Sequence, residues 1–202
     1  MELKDSQTAL NLMRAFAGES QARNRYTQAA GIARSQNLHV LEAIFTMTAD
    51  QERAHAWVFY QRLKPLTGTH LLVDGSYPVD TYESVLDLLK VASHNENEEY
   101  ESIYPAFGKI AREEGFVQIA NDFLQIARIE KIHHKRFLRL ADLMENDQLF
   151  VSDVQTGWMC LNCGHVVEGF QAPKACPVCL HPQGYFIRLE LAPYTCHHML
   201  ES

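Results

Sequence analysis

The first 159 residues of this 202-residue chain contain no cysteine; all five cysteines lie beyond them. No apolar run approaches the roughly 18 residues of a membrane span. Met1–Arg25 carries charges throughout, where a secretory leader would have an apolar centre. The expectation is a cytoplasmic protein without a membrane partner, in which paired cysteines are read first as metal ligands rather than disulfides. Basic residues are in deficit: 18 Lys and Arg against 25 Asp and Glu give a formal charge of -7 with His neutral. A phosphate-backbone binder needs a basic face, so no nucleic-acid partner is expected. G-x-G-x-x-G is also missing, so nicotinamide oxidation would fall to a separate reductase. What is present is globular: 47% apolar and 21% charged residues exclude a disordered chain. The length suits one large domain, or one domain with a small appendage.

Before the cysteines the chain reads as long amphipathic helices. Residues 8–36 form a first helix, broken at Ser35-Gln36-Asn37, and a second runs over about 39–64. Pro65, Gly68, Gly75 and Pro78 mark a long connection without periodicity. Asp80 and Glu83 resemble a capping box opening a third helix over about 81–114, with a kink expected at Pro105. Gly115 ends it, and a fourth helix covers about 116–146. Short, long and short connections between four helices match a ferritin-like four-helix bundle with one crossover. From Val154 onward short strand-like pieces alternate with Gly, Pro and Cys, as in a small metal-stapled module. The expected division is 1–150 for the bundle and 151–202 for the module and its tail.

Each helix carries ionisable residues on its apolar stripe. In the fourth helix Ile119, Phe123, Ile126, Glu130, His133, Phe137 and Leu140 share one face, and in the second Phe45, Thr48, Glu52, His55 and Phe59 do. Glu-x-x-His therefore occurs twice, each time facing the core. The first helix aligns Leu12, Phe16, Glu19 and Tyr26, and the third aligns Leu89, Ala92, Glu96, Glu99 and Ile103. Glu19 precedes Glu52 by 33 residues and Glu96 precedes Glu130 by 34, so each half supplies a lone Glu and then Glu-x-x-His. Five buried carboxylates would repel one another unless cations joined them. The set is the ligand recipe of a di-iron or di-manganese bundle, with zinc able to substitute. The halves differ at one place: Glu99 follows Glu96 by three residues, where Ala22 follows Glu19. That fifth glutamate could let one metal exchange His55 for Glu99 as its charge changes. Without the five glutamates, 20 acidic residues face 18 basic ones, so most of the net charge is internal.

Cys160-x2-Cys163-Gly164 and Cys176-Pro177-x-Cys179 are separated by twelve residues. Two such knuckles make a tetrahedral four-thiolate site for iron or zinc. The glycine lets backbone N–H groups turn toward the sulfurs. Trp158, Phe170 and Phe186 are the expected core of this module.

The strings AFAGESQARNRY (15–26), ADQERAH (49–55), YPAFGKIAREEG (104–115) and WMCLNCGHVVEG (158–169) resemble rubrerythrin over about residues 8–190. The resemblance implies a mainly α fold: a ferritin-like di-iron bundle followed by a rubredoxin-like β module. By position, it assigns Glu19, Glu52, His55, Glu96, Glu99, Glu130 and His133 to the di-iron centre. Cys160, Cys163, Cys176 and Cys179 fall to one iron, and Tyr26 and Tyr104 hydrogen-bond the ligand carboxylates. It further implies a peroxidase reducing hydrogen peroxide to water. Electrons would come from an external NAD(P)H-dependent reductase or small carrier through the tetracysteine iron. Family members form head-to-tail homodimers that bring one subunit's module near the other's di-iron site. The alternative function is ferroxidase or iron handling; a non-catalytic electron carrier or zinc-ribbon interaction protein is a further rival. His94 and Asn97 are expected to tune nothing, and the tail 192–202, with Cys196, has no counterpart.

Overall fold

A computed structural model describes residues 2–192, so Cys196 and nearly all of the tail lie outside the described residues. Helix α1 (Gln7–Ser35) starts where Ser6 Oγ accepts the Ala9 N–H. It ends as Asn37 enters the left-handed region at φ 59°. Helix α2 (His39–Arg62) returns antiparallel to it. The third helical segment consists of α3 (Val85–Glu98), a π-turn (Glu99–Ile103) and α4 (Tyr104–Glu113). Gly115 at φ 90° releases the chain into α5 (Val117–Glu145).

Two expectations about the third segment are corrected. It begins at Val85 rather than near 81, capped by Ser84 Oγ, which accepts the Asp87 N–H at 3.2 Å. Asp80 does not cap a helix because its Oδ2 is taken by Arg25 Nη1 and Asn95 Nδ2, each at 2.8 Å. The irregularity also lies upstream of Pro105, over residues 99–103. Proline has no N–H to return to the carbonyl four residues back, and the preceding turn widens to i→i+5 geometry. One consequence is that Ile103, expected on the core stripe, is 38% exposed.

The crossover lies along α1. Tyr77 donates its hydroxyl to the Arg14 carbonyl at 3.0 Å, and Arg14 pairs with Asp74 at 2.8 Å. Two apolar layers close the bundle at either end. One contains Tyr26, Leu41, Phe45, Leu89 and Phe137; the other contains Leu12, Phe59, Tyr104, Phe123 and Ile126. Burying each of the larger side chains contributes about 1.5–3 kcal/mol.

The C-terminal module is a three-stranded antiparallel sheet in the order β2–β1–β3, with β1 Val151–Cys160, β2 Val166–Gln171 and β3 Phe186–Arg188. Trp158, Cys160, Ala172, Cys176 and Phe186 form its core. Phe170 does not join them: it is 60% exposed, and Ala172 takes the interior position beyond the end of β2. The module is seated against the α1–α2 turn. His39 stacks on Tyr185 with centroids 4.1 Å apart, and a Cβ on Gly184 would overlap the Asn37 carbonyl. Only glycine permits that approach.

Candidate metal centres

The two apolar layers leave a polar floor between them, formed by all four long segments of the bundle. Glu19, Glu52, Glu96, Glu130 and His133 are at most 1% exposed, and His55 is 6% exposed. Their ligand atoms fall into two groups, each with every atom within 4.8 Å of the others. One group is Glu19, Glu52, His55 and Glu130; the other is Glu52, Glu96, Glu130 and His133. Glu52 and Glu130 belong to both. In the first, His55 Nδ1 lies 3.0 Å from both Glu52 and Glu130 and 3.9 Å from Glu19. In the second, His133 Nδ1 lies 2.9 Å from Glu130, 3.0 Å from Glu52 and 3.4 Å from Glu96.

Glu19 Oε2, Glu52 Oε1, Glu96 Oε2, both Glu130 oxygens and His133 Nδ1 are buried without a hydrogen-bond partner. Orphaned acceptors this dense are costly in a protein interior unless a cation satisfies them. Carboxylates and imidazoles at i, i+3 on facing helices suit a pair of iron or manganese ions. The residues therefore fit the group. Without cations, protons must do the same work. Burial, then Glu130 and Glu52, pushes Glu19 well above the carboxylate range. Burial and Glu52 push Glu96 up to about 8. Burial opposes the charge on both histidines, but the carboxylates outweigh it and raise His55 to about 9 and His133 to about 12. Glu52 is held near 2 against its burial by the same two imidazoles.

Each outer carboxylate is fixed by a tyrosine. Tyr26 donates to Glu96 Oε1 and Tyr104 to Glu19 Oε1. Glu99 stands outside both groups, partly exposed on the π-turn next to Tyr104. Burial and then Glu96 push its carboxyl well above the usual range. His94 is exposed, 3.7 Å from Glu98.

Sequence reasoning overlooked a supporting trio. His133 Nε2 donates to Gln51 Oε1 at 3.0 Å. Arg136 Nη1 donates to the same oxygen at 3.3 Å and to Thr48 Oγ1 at 3.2 Å. With its Nε2 proton committed to Gln51, His133 would present the Nδ1 lone pair to a cation held among the carboxylates. The available signal was spacing: Arg136 follows His133 by one turn, and Gln51 precedes Glu52.

In the module, Cys160 Sγ lies 3.7 Å from Cys179 Sγ and Cys163 Sγ lies 3.6 Å from Cys176 Sγ. Metal–sulfur bonds of about 2.3 Å in a tetrahedron require sulfur separations of about 3.8 Å. The knuckles are built alike. Gly164 N–H returns to the Cys160 carbonyl at 2.8 Å and Leu180 N–H to the Cys176 carbonyl at 2.9 Å. Gly164 has φ 75° and Leu180 φ 63°, so the turn for which glycine was the visible sign is made by leucine in the second copy. The His181 N–H holds the Cys179 thiol down at about 5. At Cys163 the His165 N–H pulls the same way, but burial and the crowding thiols push it up to about 12.

The same organisation recurs in known proteins. The family model described as Rubrerythrin matches residues 11–141 and 87–157, and the one described as Rubrerythrin, rubredoxin-like domain, matches residues 158–187. A rubrerythrin of Clostridium perfringens is 43% identical over 185 residues, covering 91% of this chain and 95% of that protein. Rubrerythrin-1 of Clostridium acetobutylicum is 44% identical over 186 residues, covering 91% and 95%. Among solved structures, fully reduced, all-ferrous nigerythrin matches with a TM-score of 0.61 at 27% identity, over 91% of this chain and 90% of the other.

Proposed function

The chain belongs to the rubrerythrin family, and from that membership and its two centres we propose that it is a peroxidase reducing hydrogen peroxide to water. The observation that carries this reading is the sharing of Glu52 and Glu130 between two donor groups. Shared carboxylates would hold two cations side by side, an arrangement suited to a two-electron acceptor with two oxygen atoms. When bound there, a ferrous pair supplies the two electrons that cleavage of one O–O bond consumes, with two protons completing two waters. The protein's part is positional. Glu19 and Glu96 close the outer sides, each fixed by a tyrosine hydroxyl. Glu52 and Glu130 span the middle, and His133 is locked by Gln51. Glu99, outside both donor groups, would take the place of His55 when a harder, more highly charged cation favours oxygen over nitrogen.

Cys160, Cys163, Cys176 and Cys179 would hold an iron suited to passing single electrons, supplied by an external NAD(P)H-dependent reductase or small carrier. Assembly as a head-to-tail homodimer would bring one subunit's module to the other's carboxylates. The proposed setting is the cytoplasm. Among the described residues no helix is long and apolar enough to cross a membrane.

Steady-state peroxide consumption by the iron-loaded protein, with a flavin reductase and NADH as electron supply, tests the assignment. Glu52→Gln should reduce turnover by several orders of magnitude, because it weakens both cation positions together. Unchanged turnover in that variant would overturn the proposal.

A further inference from the structure

A cavity of about 630 Å³ lies between α1, the crossover and the π-turn. Its inner wall includes Glu99 and Tyr104, five residues apart, which the i→i+5 turn places on one side. Its outer wall is the 74–78 stretch of the crossover, held down by Tyr77 and the Arg14–Asp74 pair. The volume lies within the range of organic ligand sites, about 300–1,000 Å³. One water needs only about 10–15 Å³ of such space, so the cavity far exceeds what a molecule as small as hydrogen peroxide requires. Ala15, Pro78, Ile103 and Phe107 give it apolar surface. Two arginines also line it, but Arg14 is engaged by Asp74 and Arg25 by Asp80, so neither demands an anion.

We propose that this cavity admits neutral organic hydroperoxides with an apolar group of about aromatic size, as substrates of the carboxylate centre alongside hydrogen peroxide. The inference rests on the peroxidase reading. The step is ROOH + 2e⁻ + 2H⁺ → ROH + H2O. The O–O bond breaks, the two electrons come from the ferrous pair, and the protons come from solvent entering through the cavity. The organic group stays in the cavity while the peroxide end passes Glu99 and Tyr104.

Cumene hydroperoxide is the probe. Mixed anaerobically with the reduced, iron-loaded protein, it should oxidise the centre in a single turnover. Gly18, in the cavity wall, has room for a Cβ at 3.6 Å from the Tyr77 ring, so Gly18→Leu projects into the space. That variant should lower the ratio of the cumene hydroperoxide rate to the hydrogen peroxide rate by about ten-fold or more. Ile103→Trp, at the partly exposed rim, should lower the same ratio and serves if Gly18→Leu does not fold. Binding is read separately by saturation-transfer NMR of cumyl alcohol with the zinc-loaded full chain. Signal is expected in the parent protein and should be lost in the variants. If hydrogen peroxide oxidises the parent and cumene hydroperoxide does not, the inference falls and the peroxidase reading stands. If neither oxidises it, the peroxidase reading falls. An unchanged ratio and undiminished cumyl alcohol signal in the variants would overturn the cavity assignment.

Discussion

Gln51 Oε1 accepts the Nε2 proton of His133 at 3.0 Å, whereas among the described residues His55 Nε2 has no such partner. The two Glu-x-x-His motifs are alike in sequence, yet only one imidazole is anchored from behind. Arg136 extends the anchor by binding the same Gln51 oxygen and Thr48 Oγ1. The anchored ring belongs to the half with Glu96, and the unanchored ring to the half where Glu99 could replace it.

Gln51→Leu should therefore weaken metal binding in the Glu96–His133 half by about 10–100-fold, the usual cost of losing the partner behind a ligating imidazole. Competition with a chelator of known affinity measures it. Equal weakening of both halves would show that Gln51 supports the helix rather than the ring.

Glu99→Ala should impair peroxide turnover more than iron content, because Glu99 lies outside both donor groups. Elemental analysis and turnover on the same samples separate the two effects. Equal loss of both would count against an exchange of Glu99 for His55.

Tyr104→Phe removes the only hydroxyl bonded to Glu19 among the described residues. A hydrogen bond to a charged acceptor contributes about 1.5–3 kcal/mol. Denaturant unfolding of the metal-loaded protein should show a loss of that order at unchanged m-value.

The metal-free protein should lose stability as pH rises. Glu96 is raised to about 8 and His55 to about 9, so the folded state holds protons that the unfolded chain releases near 4.5 and 6.5. Stability from these groups is full below their unfolded values and is lost as pH passes from there through 8 and 9. Glu52, held near 2, acts oppositely and only below about 4.5. Thermal melts between pH 6 and 9 should fall for the metal-free form and stay nearly level once cations replace the protons.

The site was legible because burial, charge and helical period conflict visibly: Glu130 and His133 interrupt a stripe that is otherwise Ile, Phe and Leu. Twin Cys-x2-Cys knuckles were equally plain. Less legible were features set by tertiary partners. Asp80 resembled a cap but is held by Arg25 and Asn95. Phe170 looked like core until the sheet placed it outward. The π-turn could be suspected only through Pro105, whose missing N–H acts on the residues before it. Gln51 and Arg136 carry no comparable signal in the sequence, because neither breaks an apolar pattern.

The most direct test is to mix fully reduced, iron-loaded protein anaerobically with hydrogen peroxide, and separately with O2, while following the visible band of the tetracysteine iron. A peroxidase with an internal electron relay predicts that peroxide restores the oxidised band quickly, one peroxide being consumed for every two ferrous ions, and that O2 acts more slowly. Faster oxidation by O2 than by peroxide, with the tetracysteine band unresponsive, would contradict it and favour ferroxidase chemistry.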